Sequence, residues 1–419
     1  MTRALAPVRH LRPRAAGLEQ PITTVELFFD LVYVFAVTQC SHMILANLTV
    51  AELGRASLLL LIVWWAWIYT TWMANWFDPT SPAVRGVLTG VMLASLLMAA
   101  ALPGAFGQDG VLFAASYVTL QVGRNAAAAT LLGPHALRAV FDRLVGWSIA
   151  SGVLWVAGAA LAGDRRLLLW IPAVALDLGA PFVGYWLPRR GHAMTTDYDI
   201  DGGHFTDRCQ GFVIIALGES VVVTGATAAH AGLTAAVVIS LSIAFVETAA
   251  LWWLYFGAVA EGSRRVMRSC EDPGRLARDA YTYLHAPIVA GIIAVAVGDD
   301  LLIAAPGDPL HGVGLAVVIG GPVLYLLGES LFRLRMTGTA NAKRIAVAAA
   351  LVLLTPVGSQ ISALALSATT AALLGALALW ELRTPAQHPL GARPGSSKDA
   401  GGARFGDLQH VQQHQEGSS

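Results

Sequence analysis

Stretches of apolar residues, each about as long as a membrane-spanning helix, recur along the whole chain, and this recurrence limits the fold more than any other feature. A helix needs about 20 residues to cross the ~30 Å hydrocarbon core of a bilayer, and each stretch is close to that length. The stretches cover residues 26–46, 56–76, 84–102, 111–132, 144–162, 167–187, 208–226, 235–258, 282–305, 312–334, 343–358 and 361–382. The sequence therefore predicts an all-α, polytopic membrane protein with twelve transmembrane helices.

Composition supports this class and excludes others. Of the 419 residues, 56% are hydrophobic and only 13% are charged, which is about half the charged share of soluble domains. So few charges cannot cover the surface of a water-soluble enzyme. The formal net charge is zero, so no basic surface for a nucleic acid is indicated, and the lipid bilayer is the expected partner. The three cysteines form no CxxC pair and indicate neither a disulfide framework nor a metal site.

The positions of the lysine and arginine residues indicate the orientation of the chain in the membrane. With the N-terminus in the cytoplasm, twelve spans leave only Arg55, Arg165 and Arg166 of the 27 basic residues in outside loops. This asymmetry follows the positive-inside rule and predicts that both termini are cytoplasmic. The predicted parts are a basic cytoplasmic N-terminus (1–25), a first six-helix half (26–187), a cytoplasmic loop (188–207), a second six-helix half (208–382) and a disordered cytoplasmic tail (383–419).

The two six-helix halves share a weak internal similarity. Residues 26–39 align with residues 207–220, since both stretches begin with a carboxylate and end with a pair of polar residues. An even number of spans per half makes the halves parallel repeats, related by an axis along the membrane normal. We therefore expect a parallel 6+6 half-repeat with a central pathway near spans one and seven. Chance similarity between apolar helices is the alternative.

Three carboxylates fall near the middle of predicted spans. Asp177 lies in span six, Glu219 in span seven and Glu247 in span eight. An ionisable group at this depth costs about 2.5–3.5 kcal/mol on insertion scales, so it faces a cavity or a partner. We interpret the three as a binding site for a translocated ion, proton or substrate. The alternative is a set of structural acids, each with its own hydrogen-bond partner.

Further charged residues lie near the cytoplasmic ends of the spans. They are Glu26, Asp30, Arg124, His204, Asp207, Arg208 and Glu329. Because a buried arginine requires a counter-charge, we expect Arg124 to pair with Glu26 or Asp30. The whole set is interpreted as a charge network that fixes or gates span one against span seven. Helix packing without a further role is the alternative.

Two motifs resemble the signatures of a known family. The run TTVELFFDLVYVFA at 23–36 resembles the opening signature of the bacterial low temperature requirement protein A family. The run HFTDR at 204–208, followed by FVIIALGES at 212–220, resembles its second signature, with Asp207 in place of the usual glutamate. Arg124 lies where the family tends to carry an arginine in its fourth span. The resemblance covers residues 20–385 and implies a link to growth at low temperature without a defined molecular activity.

No catalytic motif accompanies these residues. The chain contains no GxxxxGK[ST], HExxH or GxSxG run, so neither an enzyme nor a cofactor is expected. The preferred interpretation is a multi-pass protein of the bacterial plasma membrane that acts as a secondary transporter or handles protons or cations. Its expected partner is an unknown small solute or ion, and the sequence leaves open whether the protein forms a homo-oligomer.

Two alternatives belong to other classes. The triplets FFD at 28–30 and FTD at 205–207 resemble the Phe-Ser-Asp of certain potassium channels, so a cation channel of 6+6 architecture is one alternative. A membrane-embedded enzyme or a scaffold without transport activity is the other.

Overall fold

The structure, a computed structural model, describes residues 10–13, 20–197, 200–258 and 260–383, and these residues are helical without a β-strand. The helices are α1 (Thr24–Ala46), α2 (Val50–Trp76), α3 (Pro82–Ala100), α4 (Gly110–Leu132), α5 (Arg138–Ala159), α6 (Leu167–Gly179), α7 (Gly202–Ala231), α8 (Ala235–Ala258), α9 (Ala260–Ser269), α10 (Pro273–Leu276), α11 (His285–Ala304), α12 (Gly312–Thr337), α13 (Ala342–Leu353), α14 (Thr355–Gly358) and α15 (Ala363–Arg383). A π-helical segment, Ala277–Tyr283, joins α10 to α11. The predicted all-α class is confirmed for the described residues. The predicted disordered tail lies, from residue 384 onward, outside them.

Nine helical segments of the described residues are long and apolar enough to cross a membrane. They are α1, α2, α3, α5, α7, Ala235–Ser269, Pro273–Ala304, α12 and α15. Helices α4, α6 and α13 lie where three further spans were predicted, but they are not among the nine. Helix α4 carries Gln121, Arg124 and Asn125, and α6 and α13 have only 13 and 12 residues. The structure thus supports a multi-pass membrane protein, and the number twelve stays a prediction.

Several boundaries differ from the predicted spans for local reasons. Helix α6 ends at Gly179, well before residue 187, because Pro181 and the left-handed Gly184 (φ +58°) direct the chain into turns. Helix α7 begins at Gly202, inside the predicted loop 188–207, since the side chain of Asp201 caps it by accepting the backbone N–H of His204 (3.0 Å).

Helix α2 lies at the centre of the helical packing. The indole rings of Trp64 and Trp67 are buried, and their centroids lie 5.3 and 4.4 Å from the ring of Phe212 on α7. The indole N–H of Trp64 also donates to the backbone carbonyl of Thr282 in the π-helical segment (2.8 Å). Buried indoles of this kind need a hydrogen-bond partner. Helix α2 therefore connects the first part of the chain to the second.

Helices α11 and α12 approach each other more closely than side chains would allow. A Cβ at Gly291 would lie 2.5 Å from the backbone nitrogen of Tyr325, and one at Gly321 would lie 2.8 Å from that of Val295. Gly298 and Gly328, each seven residues further along its helix, face similarly close neighbours. Stripes of small residues allow the close packing on which helix association in membranes depends.

Replacing Gly291 with alanine tests this packing. Because the new methyl group meets backbone atoms that cannot rotate away, Gly291→Ala should lower the free energy of unfolding by about 1–3 kcal/mol. Gly320→Ala is the matched control, since a Cβ there meets nothing within 4 Å. The check is thermal unfolding of both variants in detergent, and equal transition temperatures for the two would contradict the close approach.

Candidate functional site

The carboxylate of Glu26, in the first turn of α1, is fully hydrogen-bonded. Its Oε2 accepts the backbone N–H and the hydroxyl of Thr23 (2.9 and 2.8 Å), a local interaction typical of helix N-termini. Its Oε1 accepts from Arg12 (2.8 Å) and from Nε2 of His204 on α7 (2.9 Å). Only 1% of the residue is exposed. Four donors around one buried carboxylate stabilise its ionised form.

The ring of His204 is held in place by polar neighbours at both of its nitrogens. The amide of Asn75 is oriented by Asp201, because its Oδ1 accepts the backbone N–H (2.8 Å) and its Nδ2 donates to the backbone carbonyl (2.9 Å). The same Nδ2 lies 3.2 Å from Nδ1 of His204. Nε2 of the same ring lies 2.9 Å from Oε1 of Glu26 and 3.2 Å from Nη2 of Arg12, so both ring nitrogens have polar partners.

Asp30, one turn further along α1, binds Arg208 of α7 through two parallel hydrogen bonds. The distances are 2.5 Å (Nη1 to Oδ2) and 2.8 Å (Nη2 to Oδ1), the bidentate geometry that suits guanidinium and carboxylate. The indole of Trp67 donates to Oδ1 as well (2.8 Å), and Arg208 lies over the rings of Phe29 and Trp67. This pair is nearly inaccessible to water.

These contacts unite the two sequence motifs in one place, which we call the α1–α7 charge cluster. It consists of Arg12, Glu26, Asp30, His204 and Arg208. Two arginines face two carboxylates in the cluster, and the ring of His204 lies between Glu26 and Asn75. Four of its members were predicted as a network. Arg12 was missed, because it is one of several arginines in an N-terminal segment that has no apolar pattern.

Three residues of the predicted network, Asp207, Glu329 and Arg124, lie outside this cluster. Asp207 forms an ion pair with Arg264 (3.2 Å) in a partly exposed position. Glu329 on α12 forms a buried ion pair with Arg344 of α13, which also binds Glu381 of α15 through two hydrogen bonds (2.9 and 2.8 Å). These two pairs are separate from the α1–α7 charge cluster.

The predicted pairing of Arg124 with Glu26 or Asp30 is wrong, because both acids are occupied by other partners. The guanidinium of Arg124 instead donates to Gln121, to the hydroxyl of Thr70 (3.1 Å) and to a backbone carbonyl of α2. Among the described residues it forms no direct ion pair.

The charge of Arg124 is nonetheless connected to an acid. Gln121, which accepts from Arg124, donates through its Nε2 to the hydroxyl of Tyr117 (2.9 Å), and Tyr117 donates to Oδ2 of Asp177 (2.9 Å). The indole of Trp155 donates to the same oxygen (3.1 Å). Hydrogen bonds in such a chain polarise one another, so the positive charge of Arg124 strengthens the hydrogen bond that stabilises Asp177. Asp177 thus belongs to a chain on α4, α5 and α6 that ends at Arg124.

Glu219 has a different environment, at the contact between α7 and α1. Its Oε2 accepts a hydrogen bond from the hydroxyl of Thr38 (2.5 Å), and its Oε1 has no hydrogen-bond partner among the described residues. Ser41 and His42 of α1 are the other residues that interact with this carboxyl group. The residue is 1% exposed.

Glu247 is buried on α8 and contacts α15. Its one described hydrogen bond, from the hydroxyl of Thr370, is long (3.3 Å). The three midplane acids therefore have partners on different helices, and no contact between them is described. The structure does not bring Asp177, Glu219 and Glu247 together in one site.

The contacts of α1 with α7 also fix their relative direction. Asp30 contacts Arg208, and further along both helices Thr38 contacts Glu219. Both residue numbers increase, so α1 and α7 run parallel. The two contacts are about 12 Å apart along α1 and about 16 Å apart along α7 at 1.5 Å per residue.

A helical multi-pass membrane protein with two motifs joined in a buried charge cluster is the class that fold and site define. The family model described as bacterial low temperature requirement A protein matches residues 21–379, and the chain belongs to this family. It is also 34% identical over 365 residues to a protein of Rhizobium meliloti (strain 1021) described as uncharacterized, covering 85% of this chain and 88% of that protein. No solved structure matches the chain.

A double-mutant cycle tests the pair of Asp30 and Arg208. Either single variant, Asp30→Ala or Arg208→Ala, leaves a buried charge without its partner and should lower the free energy of unfolding by about 3–5 kcal/mol. The double variant removes both charges, so it should lose clearly less than the sum of the single losses. The measurement is denaturant unfolding in detergent. The matched pair Asp30→Ala with Arg124→Ala should be additive, and additivity for Asp30 with Arg208 would refute the contact.

A second cycle tests the chain from Arg124 to Asp177. Asp177→Asn removes the acid at its end, and Arg124→Gln removes the charge that the acid compensates. The interaction energy between these two variants should be about 0.5–3 kcal/mol. Arg124→Gln with Glu247→Gln serves as the control and should show none. The measurement is the free energy of unfolding of each variant. Equal interaction energies for the two pairs of variants would contradict the hydrogen-bond chain from Arg124 to Asp177.

Proposed function

We propose that the protein is a secondary transporter of the bacterial plasma membrane that handles protons or cations, and that Glu219 is the group that binds the proton or cation. In this proposal twelve spans form a parallel 6+6 arrangement with both termini in the cytoplasm. Span one and span seven meet at the centre, and the α1–α7 charge cluster holds their N-terminal ends together.

The environment of Glu219 is the observation that carries the proposal. The buried acids Glu26, Asp30 and Glu329 all have arginine partners, and Asp177 reaches one through a hydrogen-bond chain. Glu219 has no arginine partner among the described residues: it interacts with Thr38, Ser41 and His42, and its Oε1 has no hydrogen-bond partner there. A structural acid in a membrane is expected to be paired, whereas a group that exchanges a proton or an ion needs an unoccupied oxygen.

The hydroxyl of Thr38 can serve both protonation states of Glu219. It lies 2.5 Å from Oε2 of Glu219 and 3.1 Å from the backbone carbonyl of Val34. A hydroxyl has one proton to donate and can also accept. When Glu219 is ionised, Thr38 donates to it; when Glu219 is protonated, Thr38 can donate to Val34 and accept from Glu219. The contact between α1 and α7 is thus compatible with proton uptake and release.

The direction of the helices agrees with the proposed arrangement. Because α1 and α7 run parallel, an even number of crossings must separate their N-terminal ends in a multi-pass protein, and both the proposed six and the four of α1, α2, α3 and α5 meet this condition. Six crossings require α4 and α6 to be counted as spans. The buried polar chain that starts at Arg124 accounts for the lower apolar content of α4, since its groups satisfy one another within the helices, whereas α6 is apolar but has only 13 residues.

Proton flux in reconstituted liposomes tests the proposal. The wild-type protein should dissipate a pH gradient, read by a trapped pH-sensitive dye, in the presence of sodium or potassium ions. Glu219→Gln keeps the size of the side chain and removes its titration, so its flux should fall to that of protein-free liposomes. Asp164→Asn, which changes an acid whose side chain is 59% exposed, is the control and should retain the wild-type rate.

Two results would contradict the proposal. One is undiminished flux in Glu219→Gln, provided that the variant elutes as a single species like the wild type. The other is the absence of any wild-type proton flux with either cation. A cation current in planar bilayers that needs no pH gradient and survives Glu219→Gln would instead assign the channel alternative.

A further inference from the structure

A second group of buried acids without basic partners lies between α8, α11 and α15. Glu247 on α8 is 3% exposed, and Asp299 on α11 is 2% exposed and interacts with it electrostatically. Among the described residues, neither forms an ion pair with a lysine or arginine. The hydroxyl of Thr370 contacts Glu247, and the hydroxyl of Ser240 on α8 is fully buried like that of Thr370. Two acids so placed cannot both be ionised without a cation.

The register of α8 against α11 shows how these groups meet. Tyr255 of α8 bonds to His285 of α11 (2.8 Å), and Val237 packs in one cluster with Ile303. The helices are therefore antiparallel. The number of residues from Val237 to Tyr255 on α8 equals the number from His285 to Ile303 on α11. In this register Asp299 lies level with the turn of α8 that contains Ser240.

The side chains of Glu247 and Asp299 lean towards each other. Their backbone positions differ by about 9 Å along the helix axes at 1.5 Å per residue. Side chains tilt towards the N-terminus of their own helix. Because α8 and α11 run in opposite directions, the side chain of Glu247 leans towards the level of Asp299 and that of Asp299 leans towards Glu247. Ser240 lies on the same face of α8 as Glu247, seven residues before it.

Unused hydrogen-bonding capacity is concentrated here. Oδ2 of Asp299 and Oγ of Ser240 have no hydrogen-bond partner among the described residues. Thr370 donates to a backbone carbonyl of its own helix at 2.9 Å and only weakly to Glu247 at 3.3 Å. A buried polar atom without a partner costs about 1–3 kcal/mol, so a group of them indicates a ligand that supplies the missing contacts.

We infer that Ser240, Glu247, Asp299 and Thr370 form a binding site for a dehydrated alkali cation that exchanges with a proton. All four side chains present oxygen, which hard cations prefer. With two protons the site is neutral, and with one cation and one proton it is neutral again. Binding of the cation therefore releases one proton from a carboxyl oxygen. The four side chains offer six oxygens, one of which still carries a proton when a cation with a single charge is bound.

The other ionisable groups on the neighbouring helices have partners of their own or lie at other positions along these helices than Glu247 and Asp299. Asp300 is bound by Thr227 of α7, and Glu219 of α7 by Thr38 of α1. The remaining ones include Glu26, Asp30 and His42 of α1, Glu52 and Arg55 of α2, His204, Asp207, Arg208 and His230 of α7, Arg264, Arg265 and Arg268 of α9, His285 of α11, Glu329, Arg333 and Arg335 of α12, and Glu381 and Arg383 of α15. Glu247 and Asp299 are therefore the two acids whose protons compete with the cation.

Equilibrium binding of radioactive sodium to the purified full-length protein in detergent tests this inference. The wild type should bind sodium, and its apparent affinity should fall about tenfold for each unit by which the pH is lowered, since one proton competes for the site. Asp299→Asn should abolish binding and Ser240→Ala should weaken it. Asp300→Asn is the matched control, because it changes the adjacent acid, and it should bind like the wild type.

The test separates this site from the proposed function. Binding does not require transport, so Glu219→Gln should bind sodium normally even where it abolishes proton flux. No sodium binding by the wild type at neutral or alkaline pH would overturn the inference, as would displacement of sodium by equimolar calcium. Unchanged binding in both Asp299→Asn and Ser240→Ala would overturn it as well. Loss in Asp299→Asn counts as support only with weakening in Ser240→Ala, which changes no charge and is expected to fold.

Discussion

The ion pair between Asp30 and Arg208 is the interaction on which the central helix arrangement depends. It joins residues 178 positions apart in sequence, with a bidentate geometry and an indole donor that satisfies the same carboxylate. Removing two charges from water is costly, and the bidentate pairing offsets this cost. Because Glu26 adds contacts to His204 and Arg12 in the same region, the N-terminal ends of α1 and α7 are held in one relative position. The contact between Thr38 and Glu219 follows from that position.

Compensation of charge separates the acids of the interior into two groups. Asp30 and Glu329 are bound to arginines, and Asp177 reaches Arg124 through Gln121 and Tyr117. Glu219 and Glu247 have no arginine partner among the described residues, although the sequence places them at the same depth as Asp177. This difference is the physical basis for assigning structural roles to the first group and ion or proton binding to the second. It also explains why depth in a span alone could not distinguish them.

The sequence predicted those parts of the fold that depend on apolar length and local motifs. The long helices α1, α2, α7 and α12 were predicted because a membrane span leaves a continuous apolar signal. The meeting of the two motifs was predicted in outline, because one span carries the acids Glu26 and Asp30 and the other carries the basic residues His204 and Arg208. Which arginine binds which acid could not be predicted, because Arg124 has the right charge and depth but faces Gln121 and Thr70. The role of Arg12 depends on how an irregular segment folds back onto α2, which leaves no periodic signal.

The central claim is that Glu219 carries a proton that it exchanges with water at the contact of two otherwise fixed helices. Infrared difference spectroscopy of the protein in lipid, comparing wild type with Glu219→Gln before and after transfer to D2O, measures this directly. The account predicts a carboxylic-acid carbonyl band that shifts in D2O in the wild type and is missing from Glu219→Gln. Identical spectra for the two proteins, or a Glu219 band that never shifts in D2O, would contradict it.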